Sequence, residues 1–220
     1  MQKSKIGIVV PCYNEEKTIT KICKKLNKIG RPVIINDCSN DKTLKNLKKT
    51  GVKFLNNKEN LGYEKSIIKG FKFIVKNWKK IKIIVTIDAD GELKPNSIKK
   101  LIKAKKTHTH ILIGSRIKKN RISEDLLGFL FKKRFGINDP ISGLKIYNIE
   151  IIKKILPSIS ADLFLVDVVL KAIRFNFKVK DTPIYVEKRR DNSRVGNILY
   201  SNLKILKIFL YSLLFSVKKD

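Results

Sequence analysis

The chain is short of the residues from which metal clusters and disulfide frameworks are usually built. It has three cysteines, Cys12, Cys23 and Cys38, none in a Cys-x-x-Cys spacing, and only two histidines, His108 and His110. That set is too sparse for a zinc site, and the odd cysteine count argues against a disulfide framework. Buried or half-buried thiols in a reducing compartment are the expectation. Acidic residues are scarce too: 19 stand against 49 basic ones, for a formal net charge of +30. A charge of that size favours an anionic partner and steers it over distance. Nucleic acid, an anionic membrane surface and phosphorylated small molecules all meet that description. No zinc finger, paired RNP-type aromatics or recognition helix accompanies the charge, so no specific nucleic-acid partner is expected. Long apolar runs are also missing. The longest uninterrupted one, residues 208–217, is half of the ~20 residues a spanning helix needs and contains Ser212 and Ser216.

What is present is a core-sized share of hydrophobic residues, 43% of 220, enough for one folded domain. Residues 6–10 form an apolar run ended by Pro11, and because it follows Met1 so closely no signal peptide is expected. Strands are predicted at 6–10, 32–35, 52–55, 81–87, 111–113, 144–147 and 179–186. Helices are predicted at 14–29, 43–49, 63–76, 95–107, 148–156 and 163–175. Residues 117–138 read as a basic loop around an apolar patch at 126–131. Strands alternating with helices imply an α/β fold with a mixed, mostly parallel sheet and helices on both faces. In such sheets ligands bind beyond the carboxyl ends of the strands. The unusual polar clusters fall there: 11–15, 36–41, 88–91 and 114–116. The domain is expected to span residues 1–196. Residues 197–220 then form a C-terminal amphipathic helix, lying on a membrane or on the domain, in which Ser201, Asn202, Lys204, Lys207, Ser212 and Ser216 share about half a turn.

The chemistry is concentrated at Asp88-Ala89-Asp90-Gly91, directly after the most strand-like run. Two carboxylates spaced Asp-x-Asp repel, and a cation between them removes the conflict. Mg²⁺ in particular is held by one or two carboxylates plus substrate phosphates. The alternative is a capping Asp beside a solvated one. In the second cluster Asp37, at a strand's carboxyl edge, can accept from a base or ribose, whereas Asp41 and Thr43 look like helix caps. In the first, Tyr13 offers an aromatic face and Glu15 an acceptor.

In their order, Pro11-Cys12-Tyr13-Asn14-Glu15, Asn36-Asp37-Cys38-Ser39-Asn40-Asp41-Lys42-Thr43, Asn60-Leu61-Gly62 and Asp88-Ala89-Asp90-Gly91 resemble the family 2 glycosyltransferases, inverting enzymes of the GT-A (Rossmann-like) fold. Gly114-Ser115-Arg116, Asp139-Pro140-Ile141-Ser142-Gly143 and the stretch 183–194 look like the dolichyl- and polyprenyl-phosphate sugar synthase branch. The chain departs from that branch at Asn36, where a second acid is usual, at Glu92-Leu93-Lys94-Pro95, and at Arg189-Arg190-Asp191-Asn192-Ser193-Arg194.

The resemblance implies the following roles. Pro11, Tyr13, Glu15, Asp37, Asp88 and Ala89 would bind the nucleotide-sugar, and Asp90 would ligate Mg²⁺ or Mn²⁺. Arg116, Arg189, Arg190 and Arg194 would bind phosphates, with Ser142 and Gly143 shaping the acceptor end. Asp88, Asp90, Asp139 and Arg116 would be the catalytic set. A phosphate acceptor would need no general base; for a hydroxyl acceptor the candidate bases are Asp139 and Asp167. The expected activity is sugar transfer to a polyprenyl or dolichyl phosphate by a protein associated peripherally with the cytoplasmic membrane face. A saccharide or other soluble acceptor is the alternative.

Overall fold

The computed structural model describes residues 2–119, 121–186 and 198–215, with side chains in the last helix from residue 202 on. Seven strands form one sheet: β1 (Ile6–Cys12), β2 (Arg31–Asn36), β3 (Lys53–Asn56), β4 (Ile83–Thr86), β5 (Ile111–Arg116), β6 (Lys145–Asn148) and β7 (Val179–Ile184). Their order across the sheet is β3-β2-β1-β4-β6-β5-β7. Every pairing is parallel except those of β6, which runs antiparallel between β4 and β5. Because β6 is reversed, its N-terminal end lies beside the carboxyl ends of β4 and β5. The loop ending at Gly143 and Leu144 thus reaches the edge where ligands bind in such sheets.

Alternating side chains of the central strands feed two separate cores, as a sheet covered on both faces requires. Ile8, Val10 and Ile34 pack with α1 (Ile19–Leu26), α2 (Thr43–Lys48) and α4 (Pro95–Ala104) on one face. Val9, Val33 and Ile35 pack on the other, in the core that also takes α3 (Tyr63–Asn77), α5 (Ile122–Phe135), α6 (Ile149–Ile155) and α7 (Phe164–Arg174). The last helix, α8 (Ile198–Leu214), joins this second core through Ile205 and Ile208, and Phe215 just beyond its end is buried there too. Among the described residues no helix is long and apolar enough to cross a membrane.

Three local expectations need correction. β1 continues through Pro11, because the last bond to β4 goes to Val9 O, so Pro11 has no ladder bond to lose on that side. The first helix begins at Ile19 and not at Asn14. Asn14 is left-handed (φ 56°), and the amides of Asn14, Glu15 and Glu16 donate to Ser39 Oγ, Thr43 Oγ1 and Asp41 Oδ2. The amides that would open a helix are drawn to the neighbouring strand end instead. Residues 122–135, read as part of a loop, are a four-turn helix. Its apolar side chains lie on opposite sides, Leu127 and Phe131 buried, Ile122, Leu126 and Phe129 exposed, so no single helical stripe appears in the sequence.

Candidate active site

Asp88 follows β4 and is half-buried where three segments converge. The Tyr63 hydroxyl, at the first turn of α3, donates to its Oδ1 at 2.5 Å. On another side the backbone at Gly143 comes so close that a Cβ there would lie 2.3–2.7 Å from the Asp88 carboxyl atoms. Only glycine can occupy that position without moving the carboxylate. The Gly143 carbonyl is itself fixed by the Thr86 hydroxyl at 2.8 Å, and the Ser142 hydroxyl donates to Gly114 O at 2.6 Å. Ser142 and Gly143 therefore pin the reversed strand β6 to the ends of β4 and β5. Burial pushes the Asp88 carboxyl up to about 6, with the negative charge of Asp90 adding to the effect.

That mutual repulsion is the electrostatic signature a cation would relieve. Among the described residues no group of three or more His, Cys, Asp or Glu could hold a metal alone. Two carboxylates on a strand end, completed by diphosphate oxygens, fit a hard divalent ion such as Mg²⁺ or Mn²⁺. The Asp90 Oδ1 also accepts from Glu92 N at 3.0 Å, which shapes the turn at Gly91.

Arg116 ends β5, and its guanidinium forks onto Asp139: Nε to Oδ2 at 2.7 Å and Nη2 to Oδ1 at 3.0 Å. Arg116 N donates to the same Oδ2 at 3.1 Å, and Glu124 from α5 pairs with the fork at 3.3 Å. Burial works against the charge, but Asp139 and Glu124 outweigh it and raise the Arg116 pKa still further, so the group is permanently cationic. Asp139 is fully buried and both its oxygens are engaged. It positions Arg116 and is not placed to take a proton from an acceptor. Beneath them Lys145 is fully buried, its Nζ donating to Ser142 O at 2.6 Å. Burial lowers its pKa to about 7, although Asp139 and Asp88 pull the other way.

The other side of the site is built from the loops after β1 and β2. Thr18 Oγ1 bridges them to the acidic triplet, donating to Ala89 O at 2.7 Å and lying 3.0 Å from Glu15 Oε2. Glu15 and Ala89 are buried and Tyr13 is half-buried. Asp37 is turned away from a purely ligand-facing role. Its Oδ1 accepts from Asn57 Nδ2 and Leu61 N, and its Oδ2 from Gly62 N, at 2.7–2.8 Å. It holds the 60–62 loop where Gly62, at φ 88°, turns into α3 and delivers Tyr63 to Asp88.

The sequence-predicted residues Pro11, Tyr13, Glu15, Asp37, Asp88, Ala89, Asp90, Arg116, Asp139, Ser142 and Gly143 all lie at or beside this strand edge. Arg189, Arg190 and Arg194 lie outside the described residues. Asp167 does not belong here. It is fully buried on α7, bound to Ser160 N, Lys171 Nζ and the Tyr211 hydroxyl of α8 at 2.7–2.8 Å, so it ties helices together. Reading the sequence missed Tyr63, Glu124 and Lys145. Tyr63 was signalled by its place directly after Asn60-Leu61-Gly62, and Lys145 by a charge inside an otherwise apolar strand. His110 Nδ1 accepts from Lys178 N, and the three cysteines are free, Cys12 and Cys23 buried and Cys38 half-buried.

Residues 7–155, more than half of the chain, match the family model described as Glycosyl transferase family 2. The chain is a family 2 glycosyltransferase. This glycosyltransferase is 32% identical over 232 aligned positions to the uncharacterised protein MJ1222 of Methanocaldococcus jannaschii, with 95% of each chain covered. It is 28% identical over 121 residues to the dolichol-phosphate mannosyltransferase of Pyrococcus furiosus, which takes in 51% of this chain and 33% of that longer protein. Among solved structures, glucosyl-3-phosphoglycerate synthase from Mycobacterium tuberculosis, in complex with Mn²⁺, uridine diphosphate and glucosyl-3-phosphoglycerate, superposes with a TM-score of 0.72. The match is 14% identical and covers 94% of this chain and 78% of that one. At that identity the likeness is one of fold: the mixed sheet of the glycosyltransferase is the GT-A architecture that its motifs imply.

Proposed function

We propose that this family 2 glycosyltransferase moves a sugar from a nucleotide-sugar to a phosphate-bearing lipid, a polyprenyl or dolichyl phosphate, at the cytoplasmic face of a membrane. One observation carries the choice of a phosphate acceptor. The two carboxylates named as candidate bases for a hydroxyl acceptor are engaged elsewhere, Asp139 with Arg116 and Asp167 with Lys171 and Tyr211. An acceptor that is already an anion at neutral pH needs no such base. The partial likeness to a dolichol-phosphate mannosyltransferase points the same way.

In this reading Pro11, Tyr13, Glu15 and Asp37 frame the nucleoside. Asp88 and Asp90 would hold Mg²⁺ or Mn²⁺ together with the donor's diphosphate. That ion, when bound, neutralises charge growing on the leaving nucleoside diphosphate. Tyr63 and Gly143 fix the Asp88 carboxylate for this task, and Asp139 and Glu124 fix the Arg116 fork. A guanidinium held in place before the reaction stabilises phosphate charge without reorganising, which lowers the barrier more than a mobile side chain would.

The test is transfer of labelled sugar from a panel of nucleotide-sugars, with Mg²⁺ or Mn²⁺, to polyprenyl phosphate, to the parent polyprenol and to soluble phosphates and saccharides. Glycolipid from the phosphate but not from the alcohol is the expected result. Transfer to a saccharide hydroxyl alone would replace this reading with the soluble-acceptor one.

A further inference from the structure

α5 and α8 lie side by side and run in the same direction. Ser123 near the start of one donates to Asn202 near the start of the other at 2.9 Å. At their far ends Arg134 donates to Ser212 O and, at 2.9 Å, to Phe215 O. Each helix has already buried one face: Leu127 and Phe131 in α5, Ile205 and Ile208 in α8. On the opposite face, where a surface helix normally carries polar residues, both carry apolar ones. In α5 these are Ile122, Leu126 and Phe129, which are 89%, 56% and 67% exposed. In α8 they are Leu203, Leu206 and Leu210, at 64%, 52% and 52%. The two stripes therefore form one outward apolar face, larger than the scattered single residues common on protein surfaces. On the same two helices and the turn before α5, Lys118, Lys132, Lys133, Arg134 and Lys207 are exposed, against one exposed acid, Asp125, among the described residues there.

We infer that this two-helix face seats the protein on an anionic lipid bilayer, the apolar stripes entering the headgroup boundary and the basic side chains meeting lipid phosphates. The inference deepens the proposed function by giving the membrane a defined contact surface. Charge selects the occupant. A second copy placed on this face would bring like-charged lysines and arginines together in a chain that already carries +30. A negatively charged leaflet attracts the same residues, and apolar burial adds to that attraction. The surface is also directional. Glu124, on the buried side of α5, holds Arg116, so the seated helix is joined to the guanidinium at the edge of the active site.

The full-length protein should co-float with phosphatidylcholine vesicles containing about 30% phosphatidylglycerol and associate far more weakly with pure phosphatidylcholine, with binding reduced at high salt. Two double substitutions, Leu126→Ser with Phe129→Ser, and Leu206→Ser with Leu210→Ser, should each weaken vesicle partition by about tenfold. Thermal midpoints and nucleoside diphosphate binding in solution should stay unchanged. Because those nucleotide measurements need no lipid, loss of membrane binding and failure of the transferase reading are distinguishable. Unaltered vesicle binding in both variants would overturn the inference. So would a concentration-dependent dimer that the same substitutions dissolve, since the face would then belong to a second copy.

Discussion

The Asp88 carboxylate occupies the space that a side chain at Gly143 would need, 2.3–2.7 Å from where a Cβ would stand. The two residues are 55 positions apart and meet because β6 is reversed beside β4. Gly143→Ala must push Asp88 away from Tyr63, so cation-dependent nucleotide binding should fall by more than about tenfold. The fold should persist, with a thermal midpoint lowered by only a few degrees, on the order of 1 kcal/mol. Calorimetric titration with nucleoside diphosphate and Mn²⁺ reads the first, and differential scanning the second. Unchanged binding would mean that Asp88 is not held in place by this contact.

Asp88 keeps its proton up to about pH 6 in the folded protein, against an ordinary value of 3.8. Between those values the folded state binds more protons than the unfolded one, so stability falls as pH rises through the window and stays lower above it. Asp88→Asn removes that loss. It should stabilise the protein on the order of 1 kcal/mol at pH 7.5 and leave it unchanged near pH 4, while abolishing transfer. Denaturant unfolding at the two pH values checks the sign. A variant destabilised at pH 7.5 would contradict it.

Arg116 meets Asp139 through two parallel bonds, which a lysine cannot reproduce. Arg116→Lys should keep the charge and still lower kcat/KM by about a hundredfold. Asp139→Ala removes the forked partner of Arg116 in a buried setting, leaving the ion pair with Glu124, and should cost about 3 kcal/mol of stability. If Asp139 were instead a proton acceptor, Asp139→Asn would flatten the acidic limb of the pH–rate profile. The expected profile keeps that limb.

Two neighbouring positions in α8 separate core from surface. Ile205 is buried in the main core, while Leu206 is half-exposed on the outer face. Ile205→Ala should cost about 2–4 kcal/mol, and Leu206→Ala less than about 0.5 kcal/mol. Lys204, which reaches the buried Glu64 at 2.6 Å, adds a polar tie between α8 and α3. Equal, small effects at 205 and 206 would mean that α8 is a tail and not part of the fold.

The strand ends were legible in the sequence because strands covered on both faces become unbroken apolar runs, and the polar residues that stop them stand out. Asp88, Asp90 and Arg116 were found that way. Pairings between distant segments left no such trace. Nothing in the spacing announces that Asp139 holds Arg116, or that the Tyr211 hydroxyl of α8 reaches the buried Asp167. α5 was hidden for a different reason. A helix with apolar residues on two opposite faces loses the 3.6-residue signature, and its second apolar face is the one assigned here to the bilayer.

In the proposed function Asp88 and Asp90 hold a divalent cation against a donor diphosphate. Calorimetric titration of the protein with nucleoside diphosphates, with and without Mn²⁺, tests it most directly, alongside Asp90→Asn. Binding of at least one nucleoside diphosphate should tighten by more than about tenfold when Mn²⁺ is present, and Asp90→Asn should erase that difference while leaving the thermal midpoint of the unliganded protein intact. Nucleotide affinity that ignores Mn²⁺, or that Asp90→Asn leaves fully cation-dependent, would contradict the claim.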